Sequence, residues 1–119
     1  MRATAFTSTG ISNQPTRDHS RNRDEIPESF GLDQNYPNPF NPSTVIRYQL
    51  PERAFVRLEI FNMLGQHVAL MVDEEQEAGY REAVWNGSTD FGVKVASEMY
   101  YYRVTAGNFT DTKRMLLLK

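Results

Sequence analysis

Side chains that could catalyse a reaction or bind a metal are few in this chain. It has no cysteine and two histidines, His19 and His67. The absence of cysteine excludes a disulfide, a thiolate nucleophile and a cysteine-ligated metal site. The sequence places no nucleophile and no further metal ligands near either histidine, so we interpret both as surface residues. No glycine-rich phosphate loop, Gly-x-Ser-x-Gly elbow or His-Glu-x-x-His motif occurs.

One acidic run could offer oxygen ligands to calcium. It contains Asp73, Glu74, Glu75 and Glu77, and we predict a loop over residues 73–79. The run lacks the alternating ligand spacing around a central glycine that makes a calcium loop specific. We interpret it as a solvated acidic loop and expect no catalytic residue, no cofactor and no bound metal.

The bulk properties bound the class of protein. A chain of 119 residues has room for one domain, and a formal net charge of −2 without a basic stripe argues against nucleic acid as a partner. No apolar run approaches the roughly 20 residues of a transmembrane helix. Residues 1–6 have no apolar stretch typical of a signal peptide, so we expect any export signal upstream, in a larger precursor.

The composition changes near Phe30. Residues 7–28 are polar and charged, and such a segment buries too little apolar surface to offset its backbone entropy. We therefore predict a linker or tail over residues 1–29 and a folded domain over residues 30–119. Within the tail, residues 3–11 have the composition of a strand that would form if a partner supplied a sheet edge.

From Thr44 onward apolar residues recur with a period of two, which predicts strands. We predict Gly65 in the left-handed position of a hairpin, and Val68, Leu70 and Val72 facing inward. Short strands joined by glycine-bearing turns indicate an all-β, Ig-like antiparallel sandwich of about seven strands. The predicted strands cover residues 44–50, 55–61, 67–72, 80–85, 99–105 and 109–118.

Aromatic residues have predictable positions within these strands. Tyr100, Tyr102 and Val104 share one face, so we expect Tyr101 to point outward, where it either contacts a partner or covers a neighbouring strand. We interpret Trp85 as core or rim packing.

Two segments stand out from the strand pattern. Three prolines within residues 37–42 fix the backbone of a stiff arm, from which Tyr36 and Phe40 would pack against the sandwich. Residues 115–118 are apolar on both strand faces. They are either buried between sheet and loops or, with the cations Lys113, Arg114 and Lys119, form a partner contact at a sheet edge.

Specific motifs add a resemblance to a known family. The run Asn-Tyr-Pro-Asn-Pro-Phe-Asn-Pro-Ser-Thr at residues 35–44 resembles the opening of the type A C-terminal sorting domain of the type IX secretion system in Bacteroidetes and their relatives. One departure is Glu98, where that family usually has glycine before a hydrophobic residue and tyrosine. The segment from Trp85 to Arg103 is also similar to the Ig-like domain of flagellar hook-capping proteins, which share the fold. The resemblance continues at residues 62–66, 79–80, 85–87, 90–92, 95–97, 100–103 and 113–119, and places the family's final strand at the end of the chain.

The resemblance implies a non-enzymatic module that addresses a secreted protein to the surface of a Gram-negative bacterium. Its implied partners are an outer-membrane translocon and a sortase-like peptidase that links the cargo to anionic lipopolysaccharide. The alternative is a self-associating extracellular subunit, which donates residues 3–11 as a strand to another copy. The candidate partner-recognition residues are Tyr36, Pro37, Asn38, Pro39, Phe40, Asn41, Pro42, Tyr100, Lys113, Arg114, Leu116, Leu118 and Lys119.

Overall fold

Alternating apolar and polar residues build two antiparallel sheets in the part of the chain that the computed structural model describes, residues 25–119. One sheet has the strand order β1-β2-β5 and the other β4-β3-β6-β7. The predicted all-β, Ig-like sandwich is confirmed. The strands are β1 (Gly31–Leu32), β2 (Thr44–Leu50), β3 (Ala54–Phe61), β4 (His67–Gln76), β5 (Gly79–Trp85), β6 (Met99–Ala106) and β7 (Phe109–Leu116).

Some predictions fall outside the described residues. They are the tail over most of residues 1–29, the strand at residues 3–11 and the surface position of His19. Packing is already present at Pro27, which is buried. Within residues 25–119 there is no helix long and apolar enough to cross a membrane.

The core lies between the two sheets. Alternate residues of β2 and β6 are buried, as the period of two predicts, and Tyr100, Tyr102 and Val104 all face inward. Trp85 lies fully inside, with its ring centroid 5.4 Å from that of Tyr100 and 5.7 Å from that of Phe40. The prediction of core packing for Trp85 is therefore confirmed.

The predicted inward face of β4 is confirmed at Val68 and Val72, which pack against the core, and was wrong at Leu70. Register shifts opposite Leu58/Glu59 and Ile60/Phe61 interrupt the pairing of β3 with β4. Each shift is a bulge that places an extra residue in β4 and reverses the facing of the residues after it. Ala69 is consequently buried, and Leu70 pairs opposite Glu59 instead of facing the core.

The predicted acidic loop was wrong in its bounds. β4 continues through Gln76, so Asp73, Glu74 and Glu75 lie on the strand and two residues connect β4 to β5. Arg53 forms ion pairs with Glu75 and Glu77, and Arg57 with Asp73. The acidic run therefore neutralises arginines that precede or lie on β3.

Two connections fix the outer part of the four-stranded sheet. Gly65 adopts φ 81° in the hairpin between β3 and β4, as predicted. In the loop between β5 and β6, the Asp90 carboxylate accepts a bond of 2.8 Å from the Leu70 N–H and lies 3.0 Å from His67 Nε2. These bonds lower the pKa of Asp90, the backbone bond from Leu70 most strongly. The loop is thereby fastened over the edge strand β4.

Candidate partner-binding surface

The segment between β1 and β2, residues 33–43, is the arm, and it is anchored by the buried residue Asn35. The Asn35 side chain is inside the protein, so its polar atoms need partners. Its amide nitrogen donates to Thr44 Oγ1 at 2.9 Å and to the Pro37 carbonyl at 3.1 Å. Its Oδ1 accepts from Gln34 Nε2 at 2.7 Å. The Asn35 side chain thus has both its donor and its acceptor groups satisfied.

The hydroxyl of Tyr102 fixes the backbone of the same segment. It accepts a bond of 2.8 Å from the Asn35 N–H and donates one of 2.7 Å to the Asp33 carbonyl. Tyr102 belongs to β6 and Thr44 to β2, so the bonds around Asn35 connect both sheets. Burial of the phenol raises the pKa of Tyr102 to about 12. The hydroxyl therefore stays protonated and able to donate at neutral pH.

The arm crosses from one sheet to the other. Tyr36 exchanges two backbone hydrogen bonds with Val45 of β2, of 3.0 and 2.8 Å. Four residues later, the Phe40 N–H donates to the Leu116 carbonyl at 2.9 Å and the Phe40 carbonyl accepts from the Leu118 N–H at 3.1 Å. The arm therefore covers the outer edge of β7 at its C-terminal end.

The two aromatic residues of the arm have opposite environments. Phe40 is only 2% exposed and packs on Trp85, as predicted. Tyr36 is 73% exposed, so the prediction that it packs against the sandwich was wrong. Its backbone pairs with Val45, a residue of the outer face of β2, and this places the Tyr36 side chain in solvent.

Residues 113–119, here called the terminal segment, are held on both sides. The arm binds one edge, and on the other the Leu117 N–H donates to the Glu98 carbonyl at 3.1 Å and the Lys119 N–H to Ser97 Oγ at 2.9 Å. Met115 and Leu117 are buried, whereas Leu118 is half exposed. The sequence left burial and partner contact open for this segment; burial is confirmed for Met115 and Leu117, and partner contact stays a prediction for the exposed residues.

Most of the candidate recognition residues lie around the end of β7. The side chains of Phe40 and Tyr100 are buried in the core, so neither can contact a partner directly, and Tyr36 lies beside Val45 of β2. Asn38, Pro39, Lys113, Arg114 and Leu116 line a groove of about 680 Å³, here called the strand groove. On the other side of Leu117, a smaller groove of about 290 Å³ is lined by the candidates Asn41, Pro42 and Lys119, together with Asn86, Gly87 and Lys94. The candidates Tyr36, Pro37 and Leu118 line neither groove.

Several residues of this surface were not among the candidates. Gln34 lines the strand groove and donates from its side-chain amide to the Arg114 carbonyl at 2.6 Å. Met99, Tyr101 and Thr112 also line it. Tyr101 was expected to point outward and does so, half buried in the groove. Asn35 opens the motif at residues 35–44, and its bonds to Thr44, at the end of that motif, and to the distant Tyr102 show its role.

Glu98, the departure from the family pattern, contacts the core aromatic Tyr100. Its Oε2 lies 3.3 Å from the Tyr100 hydroxyl, which also donates to the Ala96 carbonyl at 2.7 Å. Burial, and secondarily the nearby Glu98 carboxylate, raise the pKa of Tyr100 to about 12. The Glu98 backbone thus accepts a hydrogen bond from Leu117, and the Glu98 side chain lies beside the Tyr100 hydroxyl.

The surface around the end of β7 combines three kinds of chemical group. It offers cations, amide groups and apolar side chains along the strand end. Residues 25–119 contain no group of three or more His, Cys, Asp or Glu side chains that could hold a metal ion.

No protein-family model matches this chain, and no curated protein sequence matches it. Its fold is similar to part of the crystal structure of dimeric latent PorU from Porphyromonas gingivalis, with a TM-score of 0.61 and 20% identity, covering 73% of this chain and 9% of that one. It is also similar to part of PorZ, an essential bacterial surface component of the type-IX secretion system of human oral-microbiomic P. gingivalis. That match has a TM-score of 0.52 and 21% identity and covers 75% of this chain and 12% of that one. The chain thus spans about a tenth of the length of either protein and shares a fold with a part of each.

Truncating the two arm aromatics tests their different roles. Phe40→Ala should lower the free energy of unfolding by about 3–5 kcal/mol, because it empties a packed site beside Trp85. Tyr36→Ala, in the same arm, should change it by less than about 0.5 kcal/mol, since that ring is in solvent. Urea unfolding followed by Trp85 fluorescence measures both values. Equal losses for the two variants would contradict the assigned packing.

Removing the Tyr102 hydroxyl tests the anchoring of the arm. Tyr102→Phe leaves the Asn35 N–H and the Asp33 carbonyl without their partner, and should lower the free energy of unfolding by about 1–3 kcal/mol at neutral pH. The pH dependence gives a second readout. Because the folded pKa of Tyr102 is about 12 and its ordinary value is 10.0, its stabilising effect is complete below pH 10 and is lost as pH rises towards 12.

Between pH 10 and 12 the free energy of unfolding should therefore fall less steeply for Tyr102→Phe than for the wild type. The difference between the two slopes should be up to about 1.4 kcal/mol per pH unit. Urea titrations at fixed pH values across this range measure the slopes. Parallel slopes for variant and wild type would show that the phenol titrates as it does in the unfolded chain.

Proposed function

We propose that this chain is a non-catalytic sorting and anchoring module, which directs the export of a larger protein through a type IX secretion system to the cell surface. The observation that carries the proposal is the convergence of two motifs distant in sequence. The arm carries most of the motif that resembles the opening of the sorting family, and the terminal segment carries the motif that resembles its end. Four backbone or amide hydrogen bonds join the two segments into one surface.

The shared fold supports the same proposal. PorZ is a surface component of a type-IX secretion system, and part of it has this fold. In the proposed role, an outer-membrane translocon reads the surface around the end of β7, and a sortase-like peptidase then processes the exported protein. The module is the substrate of that machinery.

A prefolded surface suits recognition by a translocon. The arm is fixed by buried hydrogen bonds and the terminal segment by bonds on both edges, so little conformational entropy remains to be lost on binding. The exposed side chains along it, among them Asn38, Arg114 and Leu118, are presented in one geometry. Affinity can therefore come from a few contacts.

No observation favours the alternative of a self-associating subunit. Its donated strand, residues 3–11, lies outside the described residues. The outer edge of β7 is occupied by the arm near the terminal segment, and β4 is interrupted by two bulges and fastened to Asp90. These are features by which proteins prevent strand addition at sheet edges.

A fusion to a reporter tests the proposal. The full chain is placed after a reporter that carries its own signal peptide, in a bacterium with a type IX system and in an isogenic strain without its translocon. We expect the reporter to be cleaved by protease added to intact cells of the first strain and protected in the second. Protection in both strains would contradict the proposal.

A matched pair of variants locates the recognition surface. Deleting residues 114–119 would also remove the buried side chains of Met115 and Leu117, so its effect could not be separated from unfolding. Leu118→Asp instead changes a half-exposed residue of the terminal segment and should reduce surface exposure of the reporter at least about fivefold, as expected for an interface residue worth more than 1 kcal/mol. Leu64→Asp, the same change at an 83% exposed leucine of the β3–β4 hairpin, should have no effect. Equal export of the two variants would argue against this surface.

A further inference from the structure

The strand groove combines an apolar floor with cationic and polar walls. Met99, Tyr101 and Leu116 project from the outer face of β6 and the end of β7 and are partly buried. Arg114 projects from the same outer face, Lys113 lines the groove from the neighbouring position of β7, and the arm forms the opposite wall through Gln34, Asn38 and Pro39. The volume of about 680 Å³ lies within the range of about 300–1,000 Å³ that holds drug-sized ligands.

The two cations of the groove, like Arg81 of β5, differ in their ion pairing from the four other arginines within residues 25–119. Within residues 25–119, neither Lys113 nor Arg114 has a carboxylate within ion-pair distance. Four other arginines of this region are paired with acidic residues on the same or a neighbouring strand or turn. These pairs are Arg47 with Glu82, Arg53 with Glu75 and Glu77, Arg57 with Asp73 and Glu59, and Arg103 with Glu59.

The occupant must provide both negative charge and apolar surface. An inorganic anion would pair with Lys113 and Arg114 but would leave the Tyr101 and Leu116 faces in water. The groove is also open along its length, since Thr112 and Arg114 are exposed, whereas sites for small ligands usually enclose most of the ligand. A short segment of extended peptide satisfies both requirements.

The occupant binds through side chains instead of extending the sheet. At this end of β7 the Arg114 carbonyl and both backbone groups of Leu116 are already bonded to Gln34, Asn38 and Phe40 of the arm. A peptide therefore cannot add as a further strand here without displacing the arm.

We propose that the strand groove binds an extended acidic segment of a protein partner. Carboxylates of the segment pair with Lys113 and Arg114, and an apolar side chain lies on Met99, Tyr101 and Leu116. This assignment rests on the proposed function and adds the chemistry of the partner that reads the surface.

A peptide probe tests the groove directly. The isotope-labelled full chain is titrated with acetyl-Val-Glu-Leu-Asp-Val-amide, and amide shifts are followed by NMR. We expect saturable shifts at Met99, Tyr101, Thr112 and Leu116. The neutral peptide acetyl-Val-Gln-Leu-Asn-Val-amide should bind about fivefold more weakly, since each exposed ion pair contributes modestly. Pyrophosphate should also bind more weakly than the acidic peptide, because it lacks apolar groups.

Three results of this titration would overturn the inference. They are equal affinity for the acidic and neutral peptides, tighter binding of pyrophosphate than of the acidic peptide, and the absence of shifts in the groove at saturating peptide. Tighter pyrophosphate binding would assign the cations to a phosphate-bearing ligand instead.

Variants separate this inference from the proposed function. The double variant Lys113→Gln, Arg114→Gln should lose the preference for the acidic peptide and reduce reporter export at least about fivefold. The control Arg47→Gln, Arg53→Gln removes the same charge from exposed arginines that line neither groove, and should retain both properties. Equal melting temperatures would show that both double variants are folded.

If the Lys113→Gln, Arg114→Gln variant is exported as well as the wild type, the proposed role of the groove is wrong. The proposed sorting function would not be affected by that result. Failure of the wild-type fusion to be exported, with peptide binding intact, would overturn the sorting function instead.

Discussion

The course of the chain around the end of β7 depends on the hydrogen bonds that surround Asn35. Buried polar groups must be paired, and here Asn35 bonds Thr44 on β2 and the neighbouring arm through its side-chain amide, and Tyr102 on β6 through its backbone N–H. Thr44 and Tyr102 are the two partners that belong to the sheets. They lie on different sheets, so the same bonds that satisfy Asn35 also fix the arm between the sheets. Loss of any one partner leaves a buried polar group unpaired, which costs more than the bond itself contributes.

The fixed arm determines what the edge of β7 presents. A free edge strand is an open template for pairing with any other strand, and the arm removes that possibility where Phe40 bonds to Leu116 and Leu118. What remains exposed is a row of side chains with a defined order of charge and apolar surface. In the proposed role, recognition by a partner then depends on side-chain chemistry and not on backbone pairing.

The sequence predicts the sandwich well because the period of two is regular in β2, β3 and β6. It fails at Leu70 of β4, because the residues from Val68 to Val72 are all apolar and the pattern contains no sign of the two bulges. The prediction also fails for Tyr36. The backbone bridge to Val45 decides which way the Tyr36 ring points, and the local sequence does not show that bridge. The importance of Asn35 is likewise not predictable locally, because the Tyr102 hydroxyl that binds its backbone is 67 residues away in sequence.

Native-state hydrogen exchange of the arm tests most directly whether the arm and terminal segment form one fixed surface. The amides of Phe40, Leu116 and Leu118 each donate to the opposite segment, so they open only when the arm leaves β7. We predict that these three amides are protected to within about tenfold of the central amides of β6. Exchange of all three at nearly unprotected rates, with β6 still protected, would show that the arm is detached in solution and would contradict the account.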